Sequence, residues 1–366
     1  MFNIRFYITS LGNGGAEKVL LNLLKQMDYS KYRVSLITLY RGEHFDEAPE
    51  FVNKKSIFKK PSFLSKVMSK IPAKLFTLLF LRGNNDCEVA YLEGRPTRIV
   101  AKKRTKGRRL AFVHCDISVK EPLRKIYKSK IECLKEYQSF DNVCFVSEDC
   151  KNGFENCIGT LNNAVVVHNV QDYLEMDKLS HENCDDYQTH GLKILTVGRL
   201  FPPKGLERLI DVASKLEKKF SFEVFIVGDG IEMERLKGRI ERLGCRSIKM
   251  LGYHKNPYPF YKKADLYVCS SYFEGYSTSC VEAIYFGLPV LTTRCAGMDE
   301  ILDGGKLGMI VDNTTDALCN GLEYILSNKS LIEKYKENIF IKNRVEYSLD
   351  EYYHLFNPKE EGQINE

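Results

Sequence analysis

Short apolar runs alternate with longer amphipathic stretches along the first half of the chain. Residues 4–9, 32–40, 89–92, 110–113, 143–146 and 165–168 have strand length and few polar interruptions. Parallel strands read this way when helices cover both faces of their sheet. Helical periodicity fills most of the gaps, first over residues 16–27, directly after the tight turn Gly12-Asn13-Gly14-Gly15. A polar, aperiodic stretch at 172–191 suits a domain boundary.

The pattern then restarts. Strand-like runs at 193–197, 222–227, 248–251, 266–269, 289–292 and 309–311 are separated by helical stretches at 206–217, 232–243, 278–286 and 315–327. Residues 331–356 read as helix, and the chain looks frayed from Pro358. Two successive βα arrays of similar size predict an α/β protein with two Rossmann-like, doubly wound domains facing an interdomain cleft. Ligands in such sheets bind beyond the carboxyl ends of the strands.

With 366 residues, the chain has enough length for two cores. No apolar stretch approaches the roughly 18 residues that cross a bilayer. The N-terminus, Met1-Phe2-Asn3-Ile4-Arg5, lacks the pattern of a secretory signal, which places the chain in the cytoplasm. Twelve cysteines contain no CxxC pair in their closest group, Cys144, Cys150 and Cys157. They read as reduced thiols, without a zinc site. The formal net charge of +6 is unevenly spread: residues 1–180 hold 30 Lys and Arg against 20 Asp and Glu, the remainder 24 against 28. An acidic partner on the first half follows, whether membrane phospholipid, a phosphate-bearing acceptor or nucleic acid.

Three strand-to-helix turns carry candidate chemistry. In Gly12-Asn13-Gly14-Gly15-Ala16-Glu17, glycines permit close backbone approach at a helix start, where free N–H groups suit phosphate. A turn built only for packing would look the same. The second strand ends Thr38-Leu39-Tyr40-Arg41, without the acidic residue a nicotinamide dinucleotide needs on its ribose. In Val197-Gly198-Arg199-Leu200-Phe201-Pro202-Pro203-Lys204-Gly205, two cations follow a strand. They suit the charge that develops on a leaving diphosphate, Arg by forked hydrogen bonds and Lys as a point charge. In the segment from Ser270 to Ala283, Glu274 lies in a loop and Glu282 about one turn into a helix, so both carboxylates can face one pocket. Gly275, Tyr276, Ser277 and Thr278 bring amides to the helix start. Carboxylates accept from sugar and ribose hydroxyls. Asp185-Asp186 reads as a solvated pair and not a metal motif.

Taken in order, these segments resemble the retaining GT4 glycosyltransferases of the GT-B fold, in the form found in bacterial surface-polysaccharide synthesis. The resemblance implies a nucleotide-sugar donor, with UDP favoured, a glycan or lipid-linked glycan acceptor, and no metal or other cofactor. It implies an acceptor-binding domain at 1–171, a donor-binding domain at 172–340, and a helix and tail at 341–366 that cross back to the first domain. Gly15 matches the glycine near the donor phosphates, and Arg199 and Lys204 match the diphosphate clamp. Glu274 matches the carboxylate on the transferred sugar, Glu282 that on the ribose. Gly275, Tyr276, Ser277 and Thr278 match the cradle for sugar and phosphate. His114 matches a cleft histidine near the transferred sugar, with Asp116 as its support. Tyr253 sits where the base pocket begins.

Residues 51–135 hold 22 Lys or Arg against 6 Asp or Glu. Within them, residues 62–81 mix Phe63, Leu64, Val67, Leu75, Leu78 and Leu79 with Lys66, Lys70 and Lys74, as a segment lying on an anionic membrane would. Lys102-Lys103-Arg104 to Arg109 is a second basic run. The expectation is peripheral attachment to the inner membrane face, with ordinary packing under a solvated basic face as the alternative. Nucleic-acid binding leaves the Glu274 segment unexplained and has no reading motif. A sugar-nucleotide epimerase is the other enzymatic reading.

Overall fold

The computed structural model describes residues 1–358 apart from 13, 64–67, 69–70, 82, 119–122, 124–125, 185–190 and 343–348. Asp185, Asp186, Leu64, Lys66, Val67 and Lys70 therefore lie outside the described residues. The chain divides into two compact units, the second beginning at Tyr173.

Unit 1 holds seven parallel strands: β1 (Phe2–Ile8), β2 (Tyr32–Tyr40), β3 (Asn53–Phe58), β4 (Cys87–Ala90), β5 (Arg108–Val113), β6 (Asn142–Phe145) and β7 (Ala164–Val166). Their order is β3-β2-β1-β4-β5-β6-β7. The central strand β4 is buried at all four positions, including Glu88, which pairs with Lys103. Helix α1 (Gly15–Gln26) buries Val19, Leu20, Leu23 and Leu24, one face of its 3.6-residue period. The remaining helices are α2 (Ala73–Phe80), α3 (Arg95–Lys102), α4 (Lys130–Tyr137) and α5 (Glu148–Cys157). Ser147 caps α5 by accepting the Cys150 N–H at 3.2 Å.

The last described helix, α14 (Asp350–Phe356), belongs to unit 1. Phe356 is fully buried and meets Phe6 edge-on at 5.6 Å, and Tyr353 stacks on Tyr32 at 5.0 Å. The Tyr352 hydroxyl donates to the His168 carbonyl at 2.9 Å.

Unit 2 repeats the plan with β8 (Leu192–Val197), β9 (Phe222–Val227), β10 (Ile248–Gly252), β11 (Leu266–Cys269), β12 (Val290–Thr293) and β13 (Gly308–Val311). Their order is β10-β9-β8-β11-β12-β13, again parallel. Helices α6 (Tyr173–Leu179), α7 (Leu206–Leu216), α8 (Met233–Leu243), α9 (Tyr258–Lys263), α10 (Thr278–Tyr285), α11 (Met298–Ile301), α12 (Thr315–Ser327) and α13 (Ser330–Lys342) flank or follow the strands. Strand order reverses between β1 and β4 in unit 1 and between β8 and β11 in unit 2. Such switch points open the crevice where α/β sheets hold ligands.

The two Rossmann-like sheets agree with the expected fold class. Three local expectations need correction. β3 was not legible as a strand, because its burial is partial and Lys54 and Lys55 interrupt it, as on many edge strands. The polar stretch read as a linker contains α6, which buries Met176. The tail comprises two separate helices, α13 and α14. All twelve cysteines are free thiols. No described helix is long and apolar enough to cross a membrane.

Candidate active site

The loops after β8 and β11 interlock at the unit 2 switch point. After β8, Pro202–Lys204 form a 3-10 turn, and Gly205, at φ +58°, turns the chain into α7. The loop after β11 docks on this turn: Ser270 Oγ donates to the Lys204 carbonyl at 2.9 Å, and the Tyr272 N–H to the Pro203 carbonyl at 2.8 Å.

That docking brings together residues 70 positions apart. Lys204 Nζ reaches Glu274 Oε1 at 2.7 Å, and Ser271 Oγ donates to the same oxygen at 2.6 Å. The side chains are 29% and 13% exposed, so the pair is sheltered but reachable. Burial works against the Lys204 ammonium, yet the Glu274 carboxylate outweighs it and raises the pKa above its ordinary value. Lys204 is a cation at neutral pH. Arg199 is exposed, with its guanidinium 5.0 Å from the Phe201 ring centre, and no described residue accepts a hydrogen bond from it. A narrow hollow is lined by Gly198, Arg199, Lys204, Ser270, Ser271 and Ser279. Ser277 caps α10, accepting the Cys280 N–H at 3.4 Å, and Thr278 is the first residue of that helix. Two cations and the positive end of a helix thus bound a space suited to an anion.

Other expected residues lie elsewhere. Glu282 does not line this hollow; it is 2% exposed on the inner face of α10. There its charge adds to burial in raising the pKa of the Tyr261 phenol. The seven-residue separation from Glu274 therefore puts the two carboxylates in different surroundings, because α10 turns Glu282 inward with Ala283 and Ile284. Tyr253 is 62% exposed just past β10. Gly275 is buried and Tyr276 half-buried.

In unit 1, Gly15 opens α1, and apart from its chain neighbours and its own helix backbone nothing lies within 4 Å of where a Cβ would stand. Nothing in the protein itself demands glycine there. His114 follows β5 with both ring nitrogens shut off from solvent. Burial pulls its pKa down to about 4, and the Tyr91 backbone offsets only part of this, so the ring is neutral at pH 7. Asp116 does not brace His114: its Oδ1 accepts from the Ser118 N–H at 2.8 Å and hydroxyl at 2.6 Å. That task falls to Glu93, just past β4, whose Oε1 accepts the backbone N–H groups of His114 and, at 2.9 Å, Cys115. Sequence reasoning missed Glu93. Its one signal was its place before Gly94 and Pro96, where Gly94 takes φ +96° to start α3.

Elsewhere on unit 1, a cavity of about 290 Å³ is lined by Arg5, Ser35, Asn53, Lys55 and residues of α2 and Leu81. Helix α2 is anchored by Phe76, under the Arg95 guanidinium at 5.1 Å, and leaves Leu75, Leu78 and Leu79 exposed. Among the described residues, no three His, Cys, Asp or Glu side chains are grouped as metal ligands would be.

Residues 187–341 match the family model for glycosyl transferases group 1. The match spans both loops of the unit 2 site. Over nine-tenths of its length the chain is also similar to bacterial glycosyltransferases. It is 26% identical over 345 residues to an uncharacterized glycosyltransferase of Haemophilus influenzae, covering 90% of this chain and 92% of that one. It is 24% identical over 348 residues to the Campylobacter jejuni N-acetylgalactosamine-N,N'-diacetylbacillosaminyl-diphospho-undecaprenol 4-alpha-N-acetylgalactosaminyltransferase, covering 92% and 93%. Among solved structures, Anabaena Alr3699/HepE in complex with UDP and glucose superimposes with a TM-score of 0.76 at 16% identity, over the full length of both chains. That likeness concerns the fold, GT-B.

Proposed function

We propose that this protein is a retaining, metal-independent glycosyltransferase. It moves a hexose or N-acetylhexosamine from a UDP-sugar to a glycan carried on polyprenyl diphosphate, in capsule, O-antigen or exopolysaccharide synthesis. The observation that carries the reading is the 2.7 Å contact between Lys204 and Glu274 beside Arg199 at the switch point of unit 2. The match of residues 187–341 supports the transfer chemistry, and the acceptor named for the Campylobacter relative supports a lipid-linked acceptor.

Arg199 and Lys204 hold the diphosphate and stabilise the charge it gains as the bond from its oxygen to the sugar breaks. Glu274 accepts from hydroxyls of the transferred sugar, and Gly275, Tyr276, Ser277 and Thr278 line the cradle. Glu282, which the resemblance matches to the ribose carboxylate, takes no part in this site, because it faces inward on α10 and is 2% exposed. Tyr253 flanks the base. The acceptor oxygen bonds to the anomeric carbon on the face the diphosphate leaves, and its proton passes to the departing phosphate oxygen. The protein contributes positioning and charge stabilisation.

The exposed leucines of α2 and the Arg5–Lys55 cavity support peripheral attachment to the anionic inner face of the cell membrane. Vesicles containing phosphatidylglycerol should retain the protein in flotation, and neutral vesicles should not. Equal retention by both overturns the attachment. The enzymatic reading is tested by a thermal-shift screen of nucleotide-sugars, since a ligand that binds only the folded state raises Tm. Product analysis with the labelled donor follows. Release of free sugar or an epimerised nucleotide-sugar in place of a glycoside, or no shift with any donor, overturns it.

A further inference from the structure

Arg208 sits in the first turn of α7 and is 2% exposed. Its Nε donates to the Ser270 carbonyl at 2.7 Å, and its Nη2 to the Ser271 carbonyl at 2.5 Å and the Thr293 hydroxyl at 3.1 Å. Its Nη1 donates to Asn313 Oδ1 at 2.8 Å. The Tyr272 ring lies 4.1 Å from the guanidinium carbon. These partners are all neutral, and among the described residues no carboxylate pairs with the guanidinium.

That placement is unfavourable on two counts. A buried charge without a counter-ion is costly, and a cation at a helix N-terminus opposes the helix dipole. Burial lowers the Arg208 pKa, but a guanidinium stays protonated in proteins. A neutral side chain would fill the same space without either cost. What the charge gains is a grip on one loop: charge-assisted hydrogen bonds to carbonyls are stronger than neutral ones. The gripped residues are Ser270 and Ser271, and Ser271 is the one whose hydroxyl donates to Glu274. Asn313 holds the far side of the same loop, donating to the Tyr272 carbonyl at 2.7 Å. Gly205 leaves room for this contact, since a Cβ there would stand 2.2 Å from the Ser270 carbonyl oxygen and 2.9 Å from Arg208 Nε.

We infer that Arg208 is a positioning residue for the donor sugar: its buried, carboxylate-free guanidinium fixes the loop after β11 so that Ser271 aims Glu274 at the ligand beside Lys204. The inference rests on the glycosyltransferase reading above and adds a residue that lies behind the lining of the hollow, one contact away from it. Arg208 touches neither substrate nor reacting atoms, so its loss acts on the sugar and spares the nucleotide.

The experiment compares wild type, Arg208→Lys and Arg208→Gln for UDP affinity by calorimetry, affinity for the accepted UDP-sugar, kcat and Tm. In both variants kcat should fall about tenfold to a hundredfold, the scale of a loosened catalytic group. UDP affinity should stay within about threefold of wild type, and the extra affinity of UDP-sugar over UDP should disappear. Lysine keeps the charge but loses the fork, so failure of Arg208→Lys to rescue assigns the effect to geometry. Unchanged kcat, or a parallel loss of UDP affinity and Tm, overturns the inference. If both variants fail to fold, Ser271→Ala breaks the same relay with Arg208 in place, and wild-type kcat in that variant also overturns it. Wild-type protein that binds no UDP-sugar refutes the parent reading and this inference with it.

Discussion

Lowering the pH from 7.5 to 5.0 should destabilise unit 1 through one side chain, His114. Its pKa is held at about 4, against an ordinary 6.5. A depressed native pKa means that the unfolded chain takes up the proton first. The stabilisation is therefore fully present above pH 6.5 and is lost as pH falls toward 4. At pH 5.0 roughly 97% of unfolded molecules and roughly 9% of native ones carry the proton, which corresponds to about 2 kcal/mol. Urea denaturation followed by tyrosine fluorescence suits a chain with 21 tyrosines and no tryptophan. The comparison is between wild type and His114→Gln, which does not titrate. Wild type should lose about 2 kcal/mol more than the variant over this interval. Equal losses refute the reasoning, as does an NMR titration of the His114 ring with a midpoint near 6.5.

Three further outcomes follow from the geometry. Lys204→Ala should lower kcat on the order of a hundredfold by removing a charge-stabilising donor, and steady-state turnover at the wild-type rate excludes the role. Gly205→Ala forces a left-handed alanine, costing about 1–2 kcal/mol, and pushes on the Ser270 carbonyl 2.2 Å away; a lower Tm with kcat reduced about a hundredfold is expected, and an unaltered kcat counts against the loop's importance. Lys103 pairs with Glu88 at 2.5 Å, and both side chains are 3% exposed or less. Lys103→Met takes the cation from a buried carboxylate that still accepts from Tyr7 and Asn85, and should cost about 3–5 kcal/mol in urea denaturation; the double variant Lys103→Met/Glu88→Leu should recover only part of it, since the Tyr7 hydroxyl then loses its acceptor.

What the sequence disclosed and what it hid divide along a physical line. Buried parallel runs such as residues 110–113 of β5 and 143–145 of β6 announce themselves because burial on both faces forces consecutive apolar residues. The turn after β8 was legible because Gly198, Pro202, Pro203 and Gly205 punctuate the chain between a strand and a helix. The edge strand β3 was not, since partial exposure permits lysines and removes the apolar run. Arg208 was hidden for a different reason. In Leu206-Glu207-Arg208-Leu209-Ile210 it reads as one more polar residue on a solvated helix face, and its acceptors come from 62 to 105 positions away. Glu93 and His114 are likewise joined across 21 positions.

Periodicity reports which face of an element is dry, but not which distant carbonyl waits there for a cation. The same limit explains Glu282. Its position in the helix follows from spacing, whereas the direction it faces follows from the packing of α10 against the sheet. Charged residues at the two switch points are therefore where a sequence pattern is least able to separate solvated side chains from gripping ones. The Arg208 clamp shows why this matters for function: a guanidinium among neutral acceptors has a defined geometry only after β8, β11 and β12 have assembled around it. The proposed donor site is on that account a product of the finished sheet, and substitutions at Thr293 or Asn313, outside every recognised motif, should reach Glu274 through it.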